Sequence, residues 1–467
     1  MKTVIVWFRK DLRLHDNEAL YKAIQSADQI IPFYCFEESE YGKTHFGFNK
    51  TGSFRAQFNI ESVSQLRENL LAIGSELCIR NGKTADELLK LVKETNAEKI
   101  YSSKDIHSEE IAIQKEVEER LAIPIDYSFG ACLYHVNDLP HPYQDTAEVF
   151  TSFRKGLEKK ARVRELYPSP SKLPKVKIDI DWGSLPSIED LGLKRIPIDS
   201  RAAIKAKGGE NEALKRLDHY FFQSLALQEY KNRRNGLLGE DYSSKFSLWL
   251  WNGCISPRMI YWKVKEFEKE VKKNQSTYWL IFELIWRDYF KYISLKHGNK
   301  IFQLEGIGKS ERNWEIDKER FEKWANGETG IPFIDANMRE LNSTGFMSNR
   351  GRQNVASFLS KEVQLDWRMG AEYFESMLID YDVASNYGNW MYVSGVGNDP
   401  RDRYFNIISQ AKRYDANGEF VKHWLPELAE MDASNVHHPW TANQVLFSND
   451  ISYPKPMVEP DYWKKYY

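Results

Sequence analysis

A doubly wound parallel α/β domain followed by an all-α domain is the fold this chain predicts, and three observations predict it. Residues 1–133 alternate short β-branched runs with amphipathic stretches; residues 134–205 turn rich in Pro, Lys and Ser; and from Glu210 onward apolar residues recur at helical spacing. In order, the expected strands and helices of the first part are residues 4–8, 17–27, 29–36, 52–74, 76–80, 84–95, 98–102, 107–121 and 124–129. Strand and helix alternate at the spacing of right-handed crossovers. No GxGxxG follows the first strand, so the usual dinucleotide fingerprint is absent, and the glycines of 74–84 are too far apart for a phosphate loop. The stretch 134–205, with YPSPS at 167–171, reads as an interdomain linker, and residues 206–467 as the helical domain. Its clearest helix is 279–297, where Phe282, Trp286, Tyr289, Phe290 and Ile293 mark a broad apolar face.

With 467 residues the chain exceeds what one core supports, which allows a buried site between two domains. A net charge of −2 excludes a whole-chain nucleic-acid coater, so any DNA binding is confined to a local groove. Four cysteines (Cys35, Cys78, Cys132, Cys254) stand far apart without a CxxC pair, as expected of free thiols in a reducing compartment, and they offer no zinc site. The first residues are too short for a signal peptide and no apolar run has membrane-spanning length. A cytoplasmic, monomeric protein is the expectation.

Chemistry concentrates in a few segments. Tyr230 and the run Tyr242-Ser243-Ser244-Lys245-Phe246-Ser247 place hydroxyls and an ammonium ahead of an apolar helix, a set able to hold a phosphate; taken alone, it is also ordinary helix capping. Glu283, Trp286 and Arg287 share one helix face, which reads either as a Glu283–Arg287 pair or as an acid beside a stacking ring in a pocket for a base. IPFIDANMR at 331–339, NRGRQN at 349–354 and DYDVASNYGNWMY at 380–392 add polar groups among helices.

Together with VWFRKDLRLHDN at 6–17 and WLPEL at 424–428, these segments resemble the photolyase and cryptochrome family over nearly the whole chain. TGSFRAQF at 51–58, LYH at 133–135, NGLLGEDYSSKF at 235–246 and GVGNDPR at 395–401 are similar to its DASH subgroup. The resemblance implies an α/β antenna domain, a helical domain binding FAD, and repair of cyclobutane pyrimidine dimers by electron transfer from light-excited reduced flavin. A signalling photoreceptor that acts through DNA or protein partners is the alternative; the short end after residue 463 counts against it.

Carried over by position, Tyr230, Ser243, Ser244, Lys245, Phe246, Ser247 and Arg287 match the FAD diphosphate and ribityl contacts. Arg352 with Asp380, and Asp382, match contacts of the flavin ring, while Asn386 matches the residue facing N5. Glu283 and Trp286 match the dimer contacts, and Trp390, Trp367 and Trp314 the family's electron-transfer line. Arg234, Asn349, Arg350, Gln353, Tyr392 and Gln410 match DNA-contact positions. Ser348 and Asn349 stand where enzymes of (6-4) photoproducts carry histidines, which favours cyclobutane dimers. Gln353 replaces the Met, and Tyr392 the Trp, of duplex-acting enzymes, which points to single-stranded or looped DNA. The resemblance also implies a methenyltetrahydrofolate (5,10-methenyltetrahydrofolate) antenna, with Glu110 as its pterin contact and Glu109 the fallback; an exposed acidic helix face is the plain reading of both.

Overall fold

The computed structural model describes residues 1–308, 312–401, 404–441 and 453–466. Five strands, β1 (Thr3–Trp7), β2 (Gln29–Glu37), β3 (Cys78–Gly82), β4 (Lys99–Ser103) and β5 (Ile125–Ser128), form one parallel sheet in the order β3-β2-β1-β4-β5. In register, Trp7 pairs with Phe33 on one side and Ser102 on the other. Every residue of β1 and β2 is buried, as strands covered on both faces require. The covers are α1 (Glu18–Ser26), α2 (Ser53–Ala72), α3 (Thr84–Thr95) and α4 (Ser108–Arg120). Strand order reverses between β1 and β4, so a crevice opens at their carboxyl ends, where Arg9, Lys10 and Asp105 follow the strands.

The stretch read as linker carries a helix of its own, α5 (Phe150–Lys160), whose Phe150, Phe153 and Leu157 are buried. Its start is pinned from the other half: buried Asp288 accepts the backbone N–H groups of Leu133 and Tyr134 at 2.9 and 2.8 Å. Burial raises that carboxyl to about 6, against the two N–H bonds that lower it.

The second half is helical: α6 (Glu210–Asp218), α7 (Tyr230–Arg233), α8 (Ser247–Leu250), α9 (Pro257–Glu270), α10 (Gln275–His297) and α11 (Lys318–Asn326) come first. They are followed by α12 (Pro332–Thr344), α13 (Asn349–Ser357), α14 (Trp367–Met377), α15 (Val383–Ser394), α16 (Ile407–Tyr414) and α17 (Glu419–Trp424). At 23 residues, α10 is the long central element, opened by a capping box between Asn274 and Thr277. One apolar cluster runs from the sheet into α6, α9 and α10; a second fills the space among α11 to α17. None of the described helices is long and apolar enough to cross a membrane.

The run 6–17 docks the two halves. Arg258 grips Asp16 with two bonds of 2.9 and 2.8 Å, both side chains buried. Glu210 receives the N–H groups of Leu14 and His15 at 2.8 and 3.0 Å, with the His15 ring at 2.5 Å. Gly253 (φ +73°) lies so close that a Cβ would come within 2.1 Å of the Lys10 carbonyl oxygen. The motif that carries the family resemblance thus folds as the joint between the halves.

Candidate functional site

Ahead of α8, residues 240–245 form a tight turn held from α6. The buried Arg216 donates to the carbonyls of Ser243, Ser244 and Glu240 at 3.1, 3.1 and 3.2 Å and to the Asp241 carboxylate at 2.8 Å. Lys245 follows with a left-handed φ of +56°, which turns its side chain inward. The ammonium lies 3.3 Å from the Tyr242 ring centre and 5.2 Å from that of Phe346. Three buried polar atoms at this place have no hydrogen-bond partner: Tyr242 Oη, Lys245 Nζ and Glu340 Oε2. Such groups are costly in a protein interior unless a ligand meets them, and an inward ammonium suits the diphosphate of FAD. Tyr230, Ser244 and Phe246 are also buried, Ser243 is half-buried and Ser247 exposed at the start of α8.

Next to this cluster, Arg352 on α13 donates to both carboxylate oxygens of Asp380 at 2.9 Å, as expected. Two other expected ring and phosphate contacts are turned elsewhere. Asp382 caps α15 through Ser385 N–H at 2.9 Å and pairs with Lys291 at 2.8 Å. Burial would raise its carboxyl, but Lys291, then Arg287, outweigh it and hold it far below the usual range. Arg287 does not pair with Glu283; it donates to the carbonyls of Ala131 and Leu250 at 2.6 and 3.1 Å and lies 3.9 Å from Asp382. Its position at the joint, where those carbonyls converge, explains the difference.

Asn386 and Trp390 are one turn apart on α15 and share its face. The Asn386 amide donates to the Ala371 carbonyl at 3.0 Å, which fixes its orientation against α14. Trp390 lies on α14 at Gly370, where a Cβ would meet its indole at 2.2 Å; Trp367 is three residues back on the same helix. Trp314 adjoins the start of α14, since the next residue, Glu315, bonds to Gln364 and Asp366 at 3.1 and 2.8 Å. Trp390 and Trp367 are buried, 2% and 0% exposed, and Trp314 is half-buried.

At the mouth, α10 presents Glu283 and Trp286. Arg234, expected on a DNA phosphate, pairs instead with Glu283 at 2.5 Å. Burial raises the Glu283 carboxyl, with Arg234 and then Trp279 opposing. Trp286 is stacked face to face with Phe150 of α5, ring centres 3.6 Å apart and planes 10° apart, so that face is closed to a base. Tyr392 meets it edge-on at 5.7 Å. Arg350 joins the Asn235 and Gln410 side chains at 2.9 and 3.3 Å, bringing the turn after α7, α13 and α16 to one rim. Asn349 is exposed and Gln353 half-buried one turn along α13.

A cleft of about 460 Å³ separates this half from the sheet, at the switch point between β1 and β4. Glu110, buried on its wall, is paired with Lys10, and Arg9 with Asp105 at 3.0 Å. Glu109 pairs with Lys50 at 2.6 Å on a mostly exposed side chain. From the helical half come Lys291, Tyr381, Asp382 and Tyr387. Arg216, Glu340, Phe150 and Lys291 carry no signal in the sequence, because each acts on a partner remote in the chain.

Two family models match the chain: one described as DNA photolyase over residues 4–175, the other as the FAD binding domain of DNA photolyase over 279–466. The chain is 48% identical over 467 residues to cryptochrome DASH of Gloeobacter violaceus, which covers 98% of this chain and 93% of that protein. Cryptochrome DASH of Danio rerio is 46% identical over 480 residues, covering 100% and 92%. Among solved structures, the cryptochrome of Synechocystis superposes with a TM-score of 0.95 at 44% identity, covering 98% and 97% of the two chains. A class III photolyase from Agrobacterium tumefaciens gives 0.86 at 27% identity, covering 100% and 96%. A parallel sheet joined to a helical FAD-binding half defines a photolyase-type flavoprotein. The chain belongs to the photolyase/cryptochrome family, with cryptochromes DASH as its high-identity relatives.

Proposed function

We propose that this protein repairs cyclobutane pyrimidine dimers under blue light, preferring single-stranded or looped DNA to duplex. The observation that carries the reading is the Glu283 carboxyl, held by Arg234 and set one turn from Trp286 beside Tyr392. Tyr230, the run Ser243 to Ser247, Arg352, Asp380 and Asn386 would hold FAD. Bound in its reduced form, FAD would supply light-driven single-electron transfer to the dimer and take the electron back. The chain needs no nucleophile for this; Glu283, with its proton retained as burial favours, would donate its O–H to a base carbonyl and stabilise negative charge there in a site with little water. Trp286 lends its remaining periphery to the flipped bases, and Arg350, Asn349 and Gln410 form the rim that meets the backbone.

Trp314, Trp367 and Trp390 lead from the surface inward and serve as the route by which external donors reduce the cofactor. The cleft at β1 and β4 suits methenyltetrahydrofolate as antenna, with Glu110 meeting the pterin. A buried tryptophan line also suits a photoreceptor that signals through DNA or protein partners, so the test must read repair itself. Repair yield and affinity for dimer-containing DNA, measured side by side, are expected to diverge in Glu283→Ala: yield falls by about tenfold or more while affinity changes by less than about threefold. No repair by the unaltered protein would overturn the enzymatic reading in favour of the photoreceptor. Equal loss of yield and affinity would reduce Glu283 to a positioning residue.

A further inference from the structure

The FAD diphosphate site contains one acid too many for a simple anion cradle. Glu340 on α12 is 1% exposed, feels the charges of Lys245 and Arg352 and the backbone N–H of Ser348, and has an Oε2 atom with no hydrogen-bond partner. Yet no ion pair closes between Glu340 and Lys245, and the ammonium stands over the Tyr242 ring instead. The other charges around Lys245 are committed. On α6, Arg216 is satisfied by Glu240, Asp241 and three carbonyls; on α13, Arg352 is satisfied by Asp380. Phe346, from the loop between α12 and α13, adds only a ring. Lys245 and Glu340 are therefore left to balance each other and whatever enters.

An ammonium and a carboxylate together are neutral and offer little to a diphosphate that carries two negative charges. A neutral acid beside an ammonium offers a full positive charge. Resting on the FAD reading, we propose that Lys245 and Glu340 act as a proton store completed by the cofactor: binding of the FAD diphosphate draws one proton from solvent, leaving an ammonium that faces the phosphates and an uncharged acid beside it. Before binding, the pair shares one proton, either as lysine amine with carboxylic acid or as ammonium with carboxylate; after binding it holds two. Charge balances, since the added proton offsets one negative charge of the incoming diphosphate. The buried setting supports this. Burial lowers the Lys245 amine to about 7, against the pull of Glu340, and raises the Glu340 carboxyl to about 8, against Lys245 and Arg352.

The test is calorimetric titration of FAD into the apoprotein of full length at pH 8, in phosphate and in Tris, whose ionisation enthalpies differ. The dependence of the binding heat on buffer gives the protons taken up, and the heat itself shows whether FAD binds. About one proton is expected for the unaltered chain, with the dissociation constant rising by up to about tenfold per pH unit above pH 8. The Lys245→Arg, Glu340→Gln double variant has a permanent cation and no titrating acid, so its binding heat is expected not to depend on buffer. FAD binding with no proton uptake by the unaltered chain overturns the proposal while leaving the FAD reading intact. Uptake that persists undiminished in the double variant overturns it too, by moving the proton elsewhere. Absence of any binding heat would instead count against the FAD reading.

Discussion

The cleft between the halves and the buried polar cluster around Lys245 in the helical half both carry charge, but they are finished differently. In the cleft four pairs of charges have closed, Lys10 with Glu110, Arg9 with Asp105, Lys50 with Glu109 and Lys291 with Asp382, while burial raises the Glu40 and Glu375 carboxyls there. Around Lys245 the polar atoms are buried and lack partners. A self-paired site is stable when empty, and a ligand there must compete with bonds already made. An unpaired buried site is strained when empty and gains from a ligand all that desolvation took away. On the proposed function, that contrast would make FAD at the Lys245 cluster the tightly held cofactor and an antenna in the cleft the loosely held one.

The largest expected effect follows from that contrast. Stripping FAD should lower the melting temperature by roughly 5 °C, the order expected for a ligand held at a thousandfold excess over its dissociation constant, whereas loss of an antenna from the cleft should cost about 1 °C or less. Absorbance during dialysis against chaotropic salt should show the near-ultraviolet antenna band leaving before the flavin bands. Mild acid should not release it by discharging the Lys10–Glu110 pair. Burial would raise the Glu110 carboxyl, but Lys10 and then His107 outweigh it and hold it far below its ordinary value. The stability such a pair adds is present above the unfolded carboxyl value near about 4 and is lost only as pH falls through the lower folded value. Simultaneous release of both chromophores would break the contrast between the two sites.

A second expected effect sharpens the pocket side. Trp390→Phe should leave FAD bound, since the indole packs on Gly370, Phe374 and Trp324 rather than on the phosphate cluster. Photoreduction by an external donor should nevertheless fall by at least about tenfold, because the inner member of the tryptophan line is missing. Undiminished photoreduction in that variant would remove the line from the mechanism.

Local chemistry made most of the fold legible. Alternating β-branched and amphipathic runs placed the five strands and four crossover helices of the first half to within two residues. The helix read at 279–297 is the body of α10. The candidate site residues Asn386 and Trp390, by contrast, came from the family resemblance and not from local spacing, by which a lone tryptophan on an apolar face reads as core. Contacts between distant segments were not legible. Phe150 sits in a Pro- and Lys-rich stretch that reads as linker, and only the fold reveals its ring on Trp286. Arg234 carries a charge suited to phosphate, but α7 lies against α10 and delivers it to Glu283. Asp382 and Arg287 look like flavin ligands by position, and the joint between the halves claims both.

The smallest effect expected concerns the form of DNA, and it turns on the mouth of the pocket. Flipping a dimer out of duplex costs a few kcal/mol, roughly, which stacking in the pocket has to offset. Here Trp286 has one face closed by Phe150, and its neighbour at the mouth is a tyrosine held edge-on at 5.7 Å rather than a second indole. Gln353, half-buried on α13 with Oε1 lacking a hydrogen-bond partner, puts a polar amide where a thioether would add apolar contact. On the proposed function, such a mouth would return less than flipping requires but suffice for a dimer already unstacked. Repair of one dimer placed in single-stranded, bulged and fully paired oligonucleotides, at a single salt concentration, should therefore rank in that order. Equal efficiency on paired and single-stranded DNA would show that the mouth does not limit flipping. A Gln353→Met, Tyr392→Trp double variant should recover part of the duplex activity, about threefold to tenfold, since the ring and thioether restore on the order of 1 kcal/mol of stacking and apolar contact. The gain should be partial, because Phe150 still covers its face of Trp286.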